Sequence, residues 1–241
     1  MKKYLISFLL LALVQNSFSQ TLVVGYAKMK YGSGFQNTVK KYWIPLAEKE
    51  VEKGNLLSYS NLGHNMGDGY NNLDVYEAKN YASFQKAWDN ITSQYGKNTP
   101  ADVIEGHFSK VLDHKDNIYQ VMHTKHSGTD GGSLIAWYGK VHFADLSDYN
   151  DHMKKYLYPI WDEQVNNGGI TGYKVLNHSW GDEWSVVVHY EAKDFETFQK
   201  AWSTATAQYQ KDSPKRERDK YFKMVMDHKD NIYTVRSTKR Q

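Results

Sequence analysis

Two histidines stand at matching places in this sequence. His64 lies in NLGHNMGDG and His178 in VLNHSWGDE, each three residues ahead of a Gly-Asp pair. A neutral imidazole at the end of a strand can act as a general base or hold a metal. It can equally steady a hairpin turn, and either use would preserve the pair. Tyr59 and Tyr173 fall five positions earlier, on what reads as the same strand, where a phenol could orient a ligand in a cavity. His142 and His152 are candidates of another kind. With the two halves laid together without a gap, they stand opposite Lys28 and Thr38. A histidine in one copy only is what a site confined to one half would leave behind. Asp151 and His189 complete that group.

Other residues have ordinary explanations beside the functional one. His114 and His228 sit in DHKDN, which reads as a charged, solvated turn between helix and strand. Glu77 and Glu191, in YEAK, fall where a helix begins, and a carboxylate is favoured there by the helix dipole. Phe84 and Trp88, with Phe198 and Trp202, recur at helical spacing and read as core. There is no HExxH and no cysteine, so no metal site is expected. A haem needs one axial histidine, a requirement too small to read from spacing, and no cofactor is assigned. Nucleophile-elbow, phosphate-loop and dinucleotide fingerprints are missing as well.

These residues must be positioned by elements, and the elements occur twice. YEAKNYASFQKAWDNITSQY (Tyr76–Tyr95) returns as YEAKDFETFQKAWSTATAQY (Tyr190–Tyr209), 114 positions on, and DHKDNIYQV returns as DHKDNIYTV at the same shift. Run without a gap, Val23–Thr124 matches Trp137–Thr238, which implies that every loop kept its length. Each copy reads β-α-β-β-α-β, with a small helix after Pro100 ahead of the last strand. Pro45 and Pro159 fall at the same point inside a helical pattern, where a kink is expected. The expected organisation is a leader over 1–19, a first repeat over 20–124, a glycine-rich linker over 125–133 and a second repeat over 134–241.

The leader reads as a secretory signal peptide. Lys2 and Lys3 precede an apolar run, and Ser17 and Ser19 place small residues ahead of a cleavage before Gln20. A secreted or periplasmic protein, without a membrane anchor after cleavage, is the expectation. Removing the leader lowers the formal charge from +3 to +1, which leaves no basic excess for nucleic acid. An exported chain with no cysteine must rest on its packed core.

Split β-α-β units of this length form a four-stranded antiparallel sheet with both helices on one face. The VVVHYEA strand is nearly continuous in apolar residues, as expected when both faces are covered. In element order, repeat length and the GHFSKVLDHKDNIYQV ending, the chain resembles the dimeric α/β-barrel superfamily, here as a pseudo-dimer within one polypeptide. The fold class expected is therefore α+β, two tandem ferredoxin-like repeats forming an intramolecular dimeric α/β barrel. The superfamily includes antibiotic-biosynthesis-type monooxygenases, haem-degrading and chlorite-dismutating enzymes, and stress-response proteins. The resemblance implies a cavity for an aromatic or polyketide-like small molecule. Three functions follow as expectations: a small-molecule-binding protein with an aromatic-lined cavity; a cofactor-independent monooxygenase- or isomerase-like enzyme using His64 or His178; or a secreted interaction module. The abundance of tyrosine and tryptophan, 19 and 7 residues, also admits stacking on sugar rings.

Overall fold

The computed structural model describes residues 20–241; the expected signal peptide lies outside the described residues. Each repeat builds one four-stranded antiparallel sheet with its helices on one face. In the first repeat, β1 (Thr21–Met29) is followed by α1 (Phe35–Thr38), a π-helical turn (Val39–Trp43) and α2 (Ile44–Glu52). The hairpin β2 (Ser58–Met66) and β3 (Asn72–Ala78) comes next, then α3 (Tyr81–Asn98), α4 (Ala101–Phe108) and the long β4 (Val111–His126). The second repeat runs β5 (Ser133–Val141), a 3-10 turn (Phe143–Asp145), α5 (Leu146–His152), a second π turn (Met153–Leu157) and α6 (Tyr158–Asn166). It ends with β6 (Gly172–Trp180), β7 (Val186–Ala192), α7 (Phe195–Asp212), α8 (Lys215–Met224) and β8 (Val225–Arg240). The strand order is β4-β1-β3-β2 in one repeat and β6-β7-β5-β8 in the other. Among the described residues no helix is long and apolar enough to cross a membrane.

The polypeptide divides into two compact units. One comprises residues up to Leu62, Gly69–Gln120 and Arg236–Gln241; the other comprises Gly63–Asp68 and Val121–Val235. The boundaries run through β4 and β8 because both strands are longer than the sequence suggests. β4 continues through His126, into the stretch expected to be linker, and Ser127 still donates its backbone N–H to Thr171. DHKDN is not a turn but the first half of each long strand. There Lys115 lies over Tyr26 and Tyr70, and Lys229 over Tyr138 and Trp184.

The expected proline kink takes a definite form. Pro45 and Pro159 are the second residues of α2 and α6, each directly after a five-residue π turn. Proline brings no N–H and its ring crowds the carbonyl four residues back. Widening the preceding turn to π geometry removes the need for that bond and gives the ring room.

One sequence inference is corrected by the sheet register. Leu22 faces Glu77 and Leu134 faces Glu191; Tyr26 faces Lys115 and Tyr138 faces Lys229. The first strands therefore correspond at a shift of 112 positions, Leu22 with Leu134, and the rest of the repeat at 114. The second repeat carries two additional residues between β5 and α5, where it forms its 3-10 turn. The copies are not gapless, and His142 corresponds to Lys30 rather than Lys28.

In the second unit the helix-facing core gathers Ile135, Val175, Val186, Val188 and Tyr190 beneath Trp161, Phe198 and Ala201. Alternation sends Val187, His189 and Glu191 to the opposite face. β7 is buried along its whole length, so both faces are covered, as its apolar run suggests.

Candidate functional site

An open cleft of about 400 Å³ lies in the second repeat between the sheet and α7. Its floor is two cross-strand rows. Tyr190, Ile135 and Ile232 make one; Trp137 and Asp230 belong to the other, which Val188 completes. The roof is one face of α7: Phe195, Phe198, Gln199, Trp202 and Ser203. That spacing is the helical repeat that sequence alone reads as core. Here it is core at Phe198, which is buried, and open at Trp202, which is 43% exposed. Asp194 starts the helix, its carboxylate accepting the backbone N–H of Thr197 at 2.8 Å, which satisfies one of the free donors of the first turn.

The aromatic rings brace one another. Tyr190 meets Trp202 edge-on at 6.0 Å and Trp161 at 4.5 Å, while Phe198 lies 5.7 Å from Trp202. Trp137 lies across its own strand, and a Cβ on Gly139 would come within 2.3 Å of the indole. The absence of a side chain at Gly139 is what lets the ring lie flat. Asp230 is the charged member of the lining, and burial raises its carboxyl above the usual carboxylate value. Burial also holds the Tyr190 phenol far above its ordinary value, so it stays neutral. The arrangement suits a flat apolar molecule stacked among rings, with one acid at the edge.

None of the eight candidate residues from the sequence lines this cleft, and Asp151 is exposed on α5. His64 is half-buried on β2, its ring 6.1 Å from Tyr233, and its buried Nε2 has no hydrogen-bond partner among the described residues. His178 occupies the same place on β6. Its backbone N–H donates to the Ser185 carbonyl at 2.9 Å, and burial lowers its imidazole. The two tyrosines are buried: Tyr59 donates to Asp74 at 2.6 Å, Tyr173 to Asp162 at 2.8 Å. His142 is exposed ahead of the 3-10 turn. His152 is a core residue, bonded to the Tyr209 hydroxyl at 2.7 Å and stacked on Tyr221 at 4.5 Å. His189 is 2% exposed on the face of β7 away from the helices, beside Lys174, and burial pushes it down to about 4.

Sequence reasoning missed one grouping. His123 and Asp162 meet at 3.0 Å, Tyr173 donates to the same carboxylate oxygen, and His123 stacks on Tyr158 at 4.3 Å. In the first unit Ser237 and Glu48 stand at these places, so the one-copy signal applied to His123 as well as to His142 and His152.

A haem requires an axial donor, normally imidazole, thiolate, thioether or phenolate. The lining of the cleft offers only the Tyr190 phenol, held firmly protonated, so the cleft does not fit a haem.

No family model matches the sequence, and no curated protein matches it. Solved structures do resemble it. A candidate monooxygenase from Fusobacterium nucleatum subsp. nucleatum superposes with a TM-score of 0.64 at 13% identity, covering 92% of this chain and 95% of the other. One from Lactobacillus acidophilus gives 0.60 at 12%, covering 92% and 97%. A chlorite dismutase from Candidatus Nitrospira defluvii gives 0.51 at 8%, covering 90% and 91%. At these identities the likeness defines a fold. The chain has a ferredoxin-like α+β fold similar to that of these proteins, with both repeats lying in one polypeptide.

Proposed function

We propose that this protein binds a small, flat, predominantly apolar molecule in the cleft beneath α7, and that it does so outside the cytoplasm after removal of residues 1–19. The observation that carries the reading is the lining: Trp137, Tyr190, Phe195, Phe198 and Trp202 around one open volume. Ligand sites are concave, mainly apolar and aromatic, with a few polar groups that set orientation. Asp230, Gln199 and Ser203 fill that last role. The neighbours named as monooxygenases and chlorite dismutases support a small-molecule site on this fold without naming the ligand. Native mass spectrometry of the mature protein from its own host tests both parts. The expected result is a chain beginning at Gln20 with a co-purifying aromatic mass. A chain that retains residues 1–19 would contradict the export.

A second reading, an enzyme, is favoured by the His123–Asp162–Tyr173 grouping. A carboxylate that orients an imidazole is the arrangement a general base needs. Turnover of the co-purified ligand that His123→Ser abolishes, with binding kept, would support it. Turnover that survives the change would exclude it.

A further inference from the structure

In the first unit, the helix-facing side of the sheet carries polar side chains where the second unit has apolar ones. Asn61, Asn72 and Asp74 correspond to Val175, Val186 and Val188, and Arg236 corresponds to Met122. Asn61 and Asn72 are buried and Asp74 is half-buried. Asp74 Oδ1 accepts from the Tyr59 hydroxyl at 2.6 Å and from Asn61 Nδ2 at 2.9 Å, and its Oδ2 accepts from Asn72 Nδ2 at 3.2 Å. Gln36 donates to Asn61 Oδ1 at 2.8 Å. At the rim, Arg236 donates to Gln36 Oε1 at 2.6 Å and to Asn72 Oδ1 at 3.0 Å.

The second repeat is an internal control for what folding demands here. Three valines at the same register serve the same sheet beneath the same helices. Taking a carboxylate and two amides out of water costs free energy that valines do not, and exchanging buried charged groups for packed hydrocarbon is often neutral or stabilising. A fold that stands on valines in one copy does not need Asn-Asn-Asp in the other. Something besides folding keeps the polar set.

The register also supplies space. Gly25 sits between Asp74 on β3 and Asp116 on β4, where the second repeat has Trp137 between Val188 and Asp230. A Cβ built on Gly25 meets Asp116 Oδ1 at 3.2 Å and the Asp74 carbonyl at 3.9 Å, with no other contact within 4 Å. The place that holds an indole in the second repeat has no side chain in the first; it is a partly exposed notch closely bordered by Asp116.

We propose that this notch binds a small polyhydroxylated molecule, a monosaccharide or cyclitol. Each hydroxyl of a vicinal pair both donates and accepts. Carboxylates that only accept, amides that do both and a guanidinium that only donates are the complement of such a pair. Asp74 and Asp116 would take hydroxyl protons; Arg236 and the amides would give to the hydroxyl oxygens. A flat apolar ligand would form no hydrogen bonds with the exposed Asp116 and Arg236. An amine would suit the carboxylates and face Arg236 with like charge. The two repeats thus hold sites of opposite polarity at one position of one fold: valines and an indole in the second, amides, an acid and a glycine in the first.

The test uses the mature protein, with D-glucose, D-galactose, D-mannose and myo-inositol as probes, read by titration calorimetry and saturation-transfer NMR. Two variants are compared with the wild type. Asn61→Val/Asn72→Val/Asp74→Val installs the residues of the second repeat, and Gly25→Val fills the notch while leaving the network. The wild type is expected to bind at least one polyol. Each variant should weaken it by about tenfold or more, the scale of one lost charge-assisted hydrogen bond. The triple variant should melt no lower than the wild type. No polyol binding to the wild type, or undiminished binding to Gly25→Val, would overturn the proposal. So would a triple variant that fails to fold, since the network would then be structural.

Discussion

Trp137 and Gly25 occupy the same register position in the two sheets, each directly opposite an aspartate of the long closing strand, Asp230 and Asp116 respectively. In the second repeat the indole forms part of the floor of the aromatic cleft; in the first no side chain is present at all. The glycine two residues further on reverses the pattern: Gly139 beneath the indole corresponds to Ala27. The pair Trp137–Gly139 therefore acts as one device, and it can be tested as one.

Gly139→Val should destabilise the second repeat. Its Cβ would meet Trp137 at 2.3 Å and Val186 at 2.9 Å, so the indole must lift or the strands must part. Overpacking of this kind costs about 1–3 kcal/mol. Urea denaturation gives the value, and an unchanged midpoint would show that the indole moves freely.

The helix that roofs the cleft depends on its cap. Asp194→Ala removes the acceptor for the Thr197 N–H, and loss of such a cap typically costs about 1 kcal/mol. Asn80→Ala removes the same bond at α3, to Ser83 at 2.9 Å, and should cost a similar amount. Paired thermal melts check this. A negligible change at Asp194 would mean that α7 is held by its aromatic face alone.

Stability should fall on mild acidification. His189 and His152 are both held at about 4, first by burial. Lys174 adds to the effect at His189 against Glu191; Lys155 and Lys220 add to it at His152 against Glu217. Their folded values lie below the unfolded value of about 6.5, so the unfolded chain takes up these protons first as pH falls. Stability is full above about 6.5 and declines from there toward 4, by about 1.4 kcal/mol per pH unit for each histidine. His189→Val, which installs the residue found at Val75, should flatten that slope in denaturation series across the window. An equally steep decline would assign the acid sensitivity elsewhere.

The strand-end histidines give a sharper contrast. His178 lies outside the lining of the cleft, and its imidazole is half-buried near the β6–β7 turn. His178→Ala should leave binding of an aromatic probe unchanged while lowering the melting temperature modestly. Lost binding at full stability would return His178 to the site.

Periodicity and internal repetition carried the architecture well. The Tyr76–Tyr95 echo located both long helices, and the element order gave a four-stranded antiparallel sheet in each repeat. What sequence could not show was which helical aromatics stay open. Phe198 and Trp202 share one face at one spacing, yet the first is buried and the second is 43% exposed. The gapless comparison hid the two-residue offset of β1 against β5, which masked the exchange of glycine for tryptophan. Histidines drew attention as titrating groups, yet His152 and His189 are buried neutral residues. His123 escaped notice because its partner, Asp162, is distant in sequence and is met only through the fold.

The most direct test of the binding reading is a calorimetric titration of mature wild-type protein and Trp137→Gly with 1-naphthol. Glycine at that position is the arrangement of the first repeat, so the variant is expected to fold. The account predicts saturable one-site binding to the wild type, weakened by about tenfold or more when the indole is removed, since buried aromatic anchors carry much of a site's energy. Equal affinity in both proteins would place the ligand elsewhere and contradict the cleft as the binding site.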